Sequence, residues 1–351
     1  MKVIVIGPGP EFLSGISYYT WKLCNTLDAI PILFRDMLPK FLFPGKERVG
    51  KVENKIQYTN CEVKLDWWNP ITWMKAVREC NRHDVVVLQW WSVSVAHMYA
   101  FILAFCKAKV IIEIHETIDP LESSIMPIRA YSKEIRRWCW GKADRLVVHS
   151  KMDLCQVGCE YDDVSLIPHG VYDQYKDRDL KLKDGEFCVL FFGLVRDYKG
   201  VKYLIEGFKK ADLANSCLFV QGEQWDKLPD PEHPHIHFLE RYADDRWVEV
   251  MFSYADVVVL PYLRASSSGV AHIAMHYGLP IIATNTGGLA DLSDYEGMFY
   301  VAREDSDGIA DRLKLIHSQY RGRRFPVPER LQWSEIKKEW ISVLSTVSTA
   351  R

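Results

Sequence analysis

The feature that most constrains this chain is the recurrence of short, almost uninterrupted apolar runs rich in β-branched residues, with helical spacing between them. Eight stand out: KVIVIG (2–7), DVVVLQ (84–89), KVIIEIH (109–115), RLVVHS (145–150), FCVLFFG (187–193), CLFVQG (217–222), VVVLP (257–261) and PIIAT (280–284). A strand with one wet face alternates apolar and polar residues, whereas a strand covered on both faces is apolar at nearly every position. Strands that alternate with helices are joined by crossovers and run parallel. The runs therefore predict an α/β protein made of doubly wound, Rossmann-like parallel sheets. At 351 residues the chain exceeds one typical domain. The polar, charged stretch VYDQYKDRDLKLKDGEF (171–187) separates two groups of four runs and reads as a linker. We expect one domain over 1–172 and a second over 187–330, facing across a cleft, with ligands at the carboxyl ends of the strands.

Composition narrows the partners. The net charge of −2 gives no bulk attraction to nucleic acid, so an anionic ligand has to be held by local charges. Nine cysteines are scattered, and Cys155 and Cys159 have no second pair nearby to complete a zinc site. Free thiols in a reducing compartment are the expectation. The opening MKVIVIGPGP breaks at Gly-Pro after a short apolar run, which suits a buried first strand rather than a secretion signal. The stretch VSVAHMYAFILAFCKAKVIIEI is interrupted by His97, Lys107 and Lys109 and reads as a buried helix followed by a strand, not a membrane span. A soluble cytoplasmic protein is expected.

Five stretches carry residues suited to chemistry. The turn GPGPEFLSGISYYTWKL follows the first strand and opens a helix at Gly15, where backbone N–H groups can approach a phosphate or Ser14 can merely cap the helix. It lacks the GxGxxG dinucleotide spacing, which disfavours an oxidoreductase. In FFGLVRDYKG, Arg196 and Lys199 lie just past a buried strand; they are suited to gripping a diphosphate, or else are solvated loop charges. In ASSSGVAHIAM, Ser268, Gly269 and Val270 form a helix start that can bind an anion or simply be capped, and Gly287 allows close backbone approach one strand later. His115 ends a parallel strand, as does His149, while His169 lies in IPHG and Trp90 and Trp91 end another strand. Each is either a ligand contact or a core residue. The loop LPKFLFPGKERVGK (38–51) sets Phe41 and Phe43 beside Lys46 and Arg48. It suits an acceptor or an anionic membrane surface, or packs on its own domain.

Taken in order, LSGISYYTWKL, IIEIHE, LVVHSKMD, IPHGV, FFGLVRDYKGVKYLIEGF and YADVVVLPYLRASSSGVAHIAMHYGLPIIATNTGG resemble family 4 glycosyltransferases of the GT-B fold over nearly the whole chain. The resemblance implies a metal-independent, retaining hexosyltransferase. Its donor would be a nucleotide sugar, UDP- or GDP-linked, taken as a co-substrate with no bound cofactor. The acceptor would be a glycan, a lipid-linked sugar or a small molecule, with no nucleic acid partner, and a cytoplasmic location at the inner face of the membrane would suit it. Arg196 and Lys199 match the family's diphosphate-binding pair, Gly15 its glycine loop and His115 its donor-sugar histidine. The family's paired glutamates are replaced by Ala265 and Ile273, and the chain resembles a branch with Ser268-Gly269-Val270 at that place. Such a fold ends in a helix that crosses back to the first domain, which here would be 331–351, with Trp333, Ile336, Trp340 and Leu344 at helical spacing. A sugar-nucleotide epimerase, a phosphorylase and a non-catalytic nucleotide-sugar-binding homologue are the alternatives on the same fold.

Overall fold

The computed structural model describes residues 1–12, 15–37, 54–58, 61, 63–117, 126–176, 185–229 and 231–349. The chain divides into two compact units, one of residues 1–169 with 333–351 and one of residues 170–332.

In the first unit β1 (Val3–Pro8), β2 (Ile30–Asp36), β3 (Lys64–Asp66), β4 (Val85–Trp90), β5 (Lys109–Ile114), β6 (Arg145–Val148) and β7 (Val164–Leu166) form one sheet. Their order is β3-β2-β1-β4-β5-β6-β7 and every pairing is parallel. The helices are α1 (Gly15–Leu27), α2 (Pro70–Cys80), α3 (Ala96–Phe105), α4 (Met126–Lys142) and α5 (Lys151–Gly158). Successive side chains of a strand point to opposite faces, and both faces here are covered. Ile4 and Ile6 pack with Ile112, Met98 and Ile102 on one side, and Val3 and Val5 pack with Tyr19, Leu23 and Ile111 on the other. That two-sided burial is the physical origin of the uninterrupted apolar runs. Helix starts are written locally: Asn69 caps α2 ahead of Pro70, and Ser150 accepts from the Asp153 N–H at the start of α5.

The second unit repeats the plan with β8 (Phe187–Phe192), β9 (Ser216–Gln221), β10 (Ile236–Leu239), β11 (Val257–Leu260), β12 (Ile281–Thr284) and β13 (Met298–Val301). The order is β10-β9-β8-β11-β12-β13, again parallel throughout. Its helices are α6 (Val201–Ala211), α7 (Asp245–Tyr254), α8 (Gly269–His276) and α9 (Ser306–Leu315). The last helix, α10 (Trp333–Thr349), sets Trp333, Ile336, Trp340, Val343, Leu344 and Val347 in the first unit's core beside Val3, Val5 and Tyr19.

The fold class is the expected one: two Rossmann-like parallel-sheet units. All eight apolar runs are strands. Among the described residues five further strands carry no comparable run, and four of them, β3, β7, β10 and β13, stand at the ends of the strand orders with one described neighbour each. The fifth, β2, contains Pro31, which has no N–H to give a ladder. Residues 171–176, expected within the linker, fall in the second unit. Tyr172 and Tyr175 are buried there, and His276 Nε2 donates to the Tyr175 carbonyl at 2.8 Å. All nine cysteines are free of disulfides. Among the described residues no helix is long and apolar enough to cross a membrane.

Candidate functional site

In open parallel sheets, ligands gather where the strand order reverses direction. In the second unit that point lies between β8 and β11, neighbours in space that the chain leaves in opposite directions. The chain turns after β8 at Gly193, whose φ of 111° excludes an ordinary side chain. A Cβ on Gly193 would stand 3.2 Å from Lys199 Nζ and 3.8 Å from Val270 Cγ2. The Lys199 ammonium also lies 5.2 Å from the ring centre of Tyr262, just past β11. Lys199 thus aims back at the end of its own strand and meets the start of α8. There Ser268, itself buried, caps the helix: its hydroxyl accepts from the Ala271 N–H at 3.4 Å and its carbonyl from the His272 N–H at 3.3 Å. The Gly269 and Val270 N–H groups are then the helix donors left for a ligand. Tyr172 covers Gly269, its ring 3.3 Å from where a Cβ would sit. Burial pushes the Tyr262 phenol up to about 12, with Ser268 drawing it partly back, so it stays a neutral hydroxyl at pH 7.

Gly287 has φ 52°, and a Cβ there would overlap the Ala265 carbonyl oxygen. The close approach it permits is to the chain's own backbone, and it seats the 265–268 loop. Arg196 begins the same turn as Lys199, yet its side chain is engaged. Its Nε donates to Asp226 Oδ2 at 3.1 Å and its guanidinium lies 5.0 Å from the Trp225 ring. Asp226 also accepts the Asp197 N–H at 2.9 Å; that backbone bond, then Arg196, holds its carboxyl below the usual range. Asp226 and Trp225 are partners that the motif did not announce.

In the first unit the reversal falls between β1 and β4. Gly15 is the first residue of α1 and exposed. His115 follows β5 and is buried, with its N–H on the Trp90 carbonyl at 2.8 Å. It does not stand alone. Glu113 Oε2 lies 3.7 Å from His115 Nε2, and Glu113 Oε1 lies 3.5 Å from His149 Nε2. Gln89 Nε2 donates to Glu113 at 3.1 Å, and the Tyr19 ring packs against both histidines and His169. Burial raises the Glu113 carboxyl to about 8, although the Tyr19 hydroxyl and the Gln89 amide draw it down. Burial holds His115 well below its ordinary value, and His149 adds to this. Burial takes His149 to about 4, opposed by its bond to the Ile167 carbonyl. Near pH 7, then, both rings are neutral and the acid keeps its proton. A short chain away, a cavity of about 260 Å³ is lined by Trp90, Glu116, Thr117, Arg129, Lys133 and Arg136.

The structure brings Lys199, Ser268, Gly269 and Val270 together and sets His115 in a buried polar cluster with Glu113 and His149. Trp90 is core. Phe41, Phe43, Lys46 and Arg48, with Ser14, lie outside the described residues.

Comparison with known proteins bears on this geometry. Residues 186–319 match the family model Glycosyl transferases group 1. An uncharacterized glycosyltransferase of Methanocaldococcus jannaschii, MJ1607, is 26% identical over 181 residues, which is 47% of this chain and 46% of that protein. The chain thus spans about half the length of the curated relative it matches. Among solved structures, HepE of Anabaena in complex with UDP superposes with a TM-score of 0.71 at 15% identity, covering 99% of this chain and 100% of that one. A UDP-forming α,α-trehalose-phosphate synthase of Burkholderia xenovorans, in complex with glucose-6-phosphate, gives 0.65 at 10% identity over 98% and 100%. The chain therefore has the GT-B fold from end to end, and its second unit carries the match to Glycosyl transferases group 1.

Proposed function

We propose that this protein is a glycosyltransferase that moves a hexose from a nucleoside-diphosphate sugar to a glycan or lipid-linked acceptor, with retention of anomeric configuration. The observation that carries the reading is the convergence of Lys199 Nζ, the Gly193 turn and the Ser268-capped start of α8 at the β8/β11 reversal. An ammonium and two N–H donors in one place suit the negative charge that grows on a departing diphosphate; one such preorganised donor is worth roughly 3–4 kcal/mol in the transition state. Arg196 is the second cation, delivered once Asp226 yields it, and the reading needs no metal to neutralise the leaving group. The match over 186–319 and the UDP held by a protein of the same fold support a nucleoside diphosphate as the ligand, UDP being the first to test.

In the first unit, His115 is the group for a sugar hydroxyl. Arg129, Lys133 and Arg136 set three cations against one carboxylate, Glu116, around the cavity, which favours an acceptor bearing phosphate. As the resemblance to family 4 glycosyltransferases implies, the acceptor attacks on the face the diphosphate leaves, and a departing phosphate oxygen takes its proton.

The test is a thermal-shift panel of nucleotides and nucleotide sugars, followed by turnover with the donor that binds. A ligand at about 100 times its Kd stabilises by about 2.7 kcal/mol. We expect Lys199→Ala to keep the unliganded melting temperature, lose the ligand-induced shift, and fall at least about 100-fold in turnover. Undiminished transfer by that variant would sink the assignment.

A further inference from the structure

The polar cluster of the first unit contains a mismatch that a protonated Glu113 resolves. Glu113 Oε1, His115 Nε2 and His149 Nε2 are buried and within normal bonding distance of no hydrogen-bond partner. Yet they face one another at 3.5 and 3.7 Å across the two carboxyl oxygens, separations that a small turn of a ring closes to a hydrogen bond. One end of the cluster is fixed. His149 Nδ1 lies 2.9 Å from the Ile167 carbonyl. A carbonyl only accepts, so Nδ1 carries the proton and a neutral His149 offers Nε2 as an acceptor. The atom facing it is Glu113 Oε1, which bonds to that acceptor by carrying a proton. Glu113 Oε2 already accepts from Gln89 Nε2 at 3.1 Å and keeps a second lone pair that faces His115 Nε2 at 3.7 Å.

We propose that Glu113 is a positioning residue. As the protonated acid it joins the two histidines in a one-way chain: His115 Nε2–H to Glu113 Oε2, Glu113 Oε1–H to His149 Nε2, and His149 Nδ1–H to the Ile167 carbonyl. His115 is thereby fixed as the neutral tautomer whose Nδ1 lone pair accepts from a substrate hydroxyl. The role given to that hydroxyl rests on the function proposed above; the proton chain itself does not. Burial supports the protonation states, since it raises Glu113 and lowers both rings. The other titratable groups packed around the carboxyl and the rings are Tyr19 and Cys24 from α1 and His169 beyond β7. The same three atoms also have the ligand types of a metal site, and a bound ion is the rival that the experiment has to exclude.

The full chain is labelled with ¹⁵N at histidine, and the rings are assigned with His115→Asn and His149→Asn. We expect His115 protonated at Nε2 and His149 protonated at Nδ1, with His115 neutral through the ordinary histidine range and His149 ionising only near 4. Both should shift together in one step near 8, where Glu113 loses its proton. Glu113→Gln can donate from its amide and accept at its carbonyl, so it keeps both tautomers and loses the step. Glu113→Ala mixes the His115 tautomers. Against the donor found by thermal shift, Glu113→Ala should lower kcat about 10- to 100-fold with KM little changed, while Glu113→Gln stays near the parent and loses its alkaline limb. His115 protonated at Nδ1, a step that survives in Glu113→Gln, or stoichiometric metal that Glu113→Ala releases would each overturn the chain. If the protein transfers no sugar yet the ring spectra agree, the fault lies with the proposed function and not with the proton chain.

Discussion

At the scale of single residues, burial has turned ordinary groups into pH-dependent ones. Glu113 has a raised pKa in the folded chain, so the stability linked to it is fully present below the usual carboxyl value and is lost as pH rises through about 8. His149 is depressed, so its contribution is present above the usual histidine value and is lost as pH falls through about 4. The cluster alone therefore favours maximum stability between about pH 5 and 7. We expect the melting temperature to fall on both sides of that window, and Glu113→Gln to flatten the alkaline side only. An equal alkaline fall in both proteins, followed by circular dichroism, would contradict this. Arg196 and Asp226 behave differently. Both side chains are more than a third exposed, so solvent screens their ion pair and its importance is where it holds the guanidinium. Lys199, Ser268 and His115 could be picked out in the chain because each stands directly after a recognisable strand or before a helix. Glu113 could not: its partner His149 is distant in sequence, and an acid inside an apolar run signals nothing until the neighbouring strand brings a histidine beside it.

At the scale of elements, helix starts are the most local features and the best announced. Ser268, Ser150 and Asn69 are each a polar side chain just before a helix, where the first N–H groups lack partners. Ser268→Ala should cost about 1 kcal/mol, measured by urea unfolding. It should also weaken the nucleotide shift, because the same hydroxyl orders the donors at the start of α8. A variant that loses stability yet binds the nucleotide as before would separate capping from binding. Central strands were equally legible, being apolar on both faces. The edge strands were not, because half their environment is solvent and their pairing is decided by the strand already there. Lys64–Asp66 becomes a strand because β2 offers it a ladder.

At the scale of the whole molecule, the two units differ in how the chain completes them. The second is one continuous stretch, 170–332, whereas the first needs α10 from the far end of the chain. Trp340 is fully buried among Val3, Val5 and Tyr19. Trp340→Ala should therefore cost about 3–5 kcal/mol and lower the first unit's melting, leaving nucleotide-induced stabilisation of the second intact. Residues 170–332 expressed alone should fold and melt cooperatively, while 1–169 alone should not. Hydrogen exchange on the two fragments checks both statements, and a stable 1–169 fragment would show that α10 is dispensable.

The sequence by itself determined the architecture, because apolar periodicity, helix caps and glycine turns are local and each is readable within a few residues. Two sheets, their parallel sense and the cations past β8 follow from such signals. Tertiary structure decided which polar groups share a site. Lys199 and Val270 both come to Gly193, Lys199 faces Tyr262, Arg196 is held by Asp226, and Glu113 is brought to His149, each between different elements of the chain. A strand order that reverses at β1/β4 and β8/β11 sets those meetings, and hydrophobic patterning carries no record of strand order.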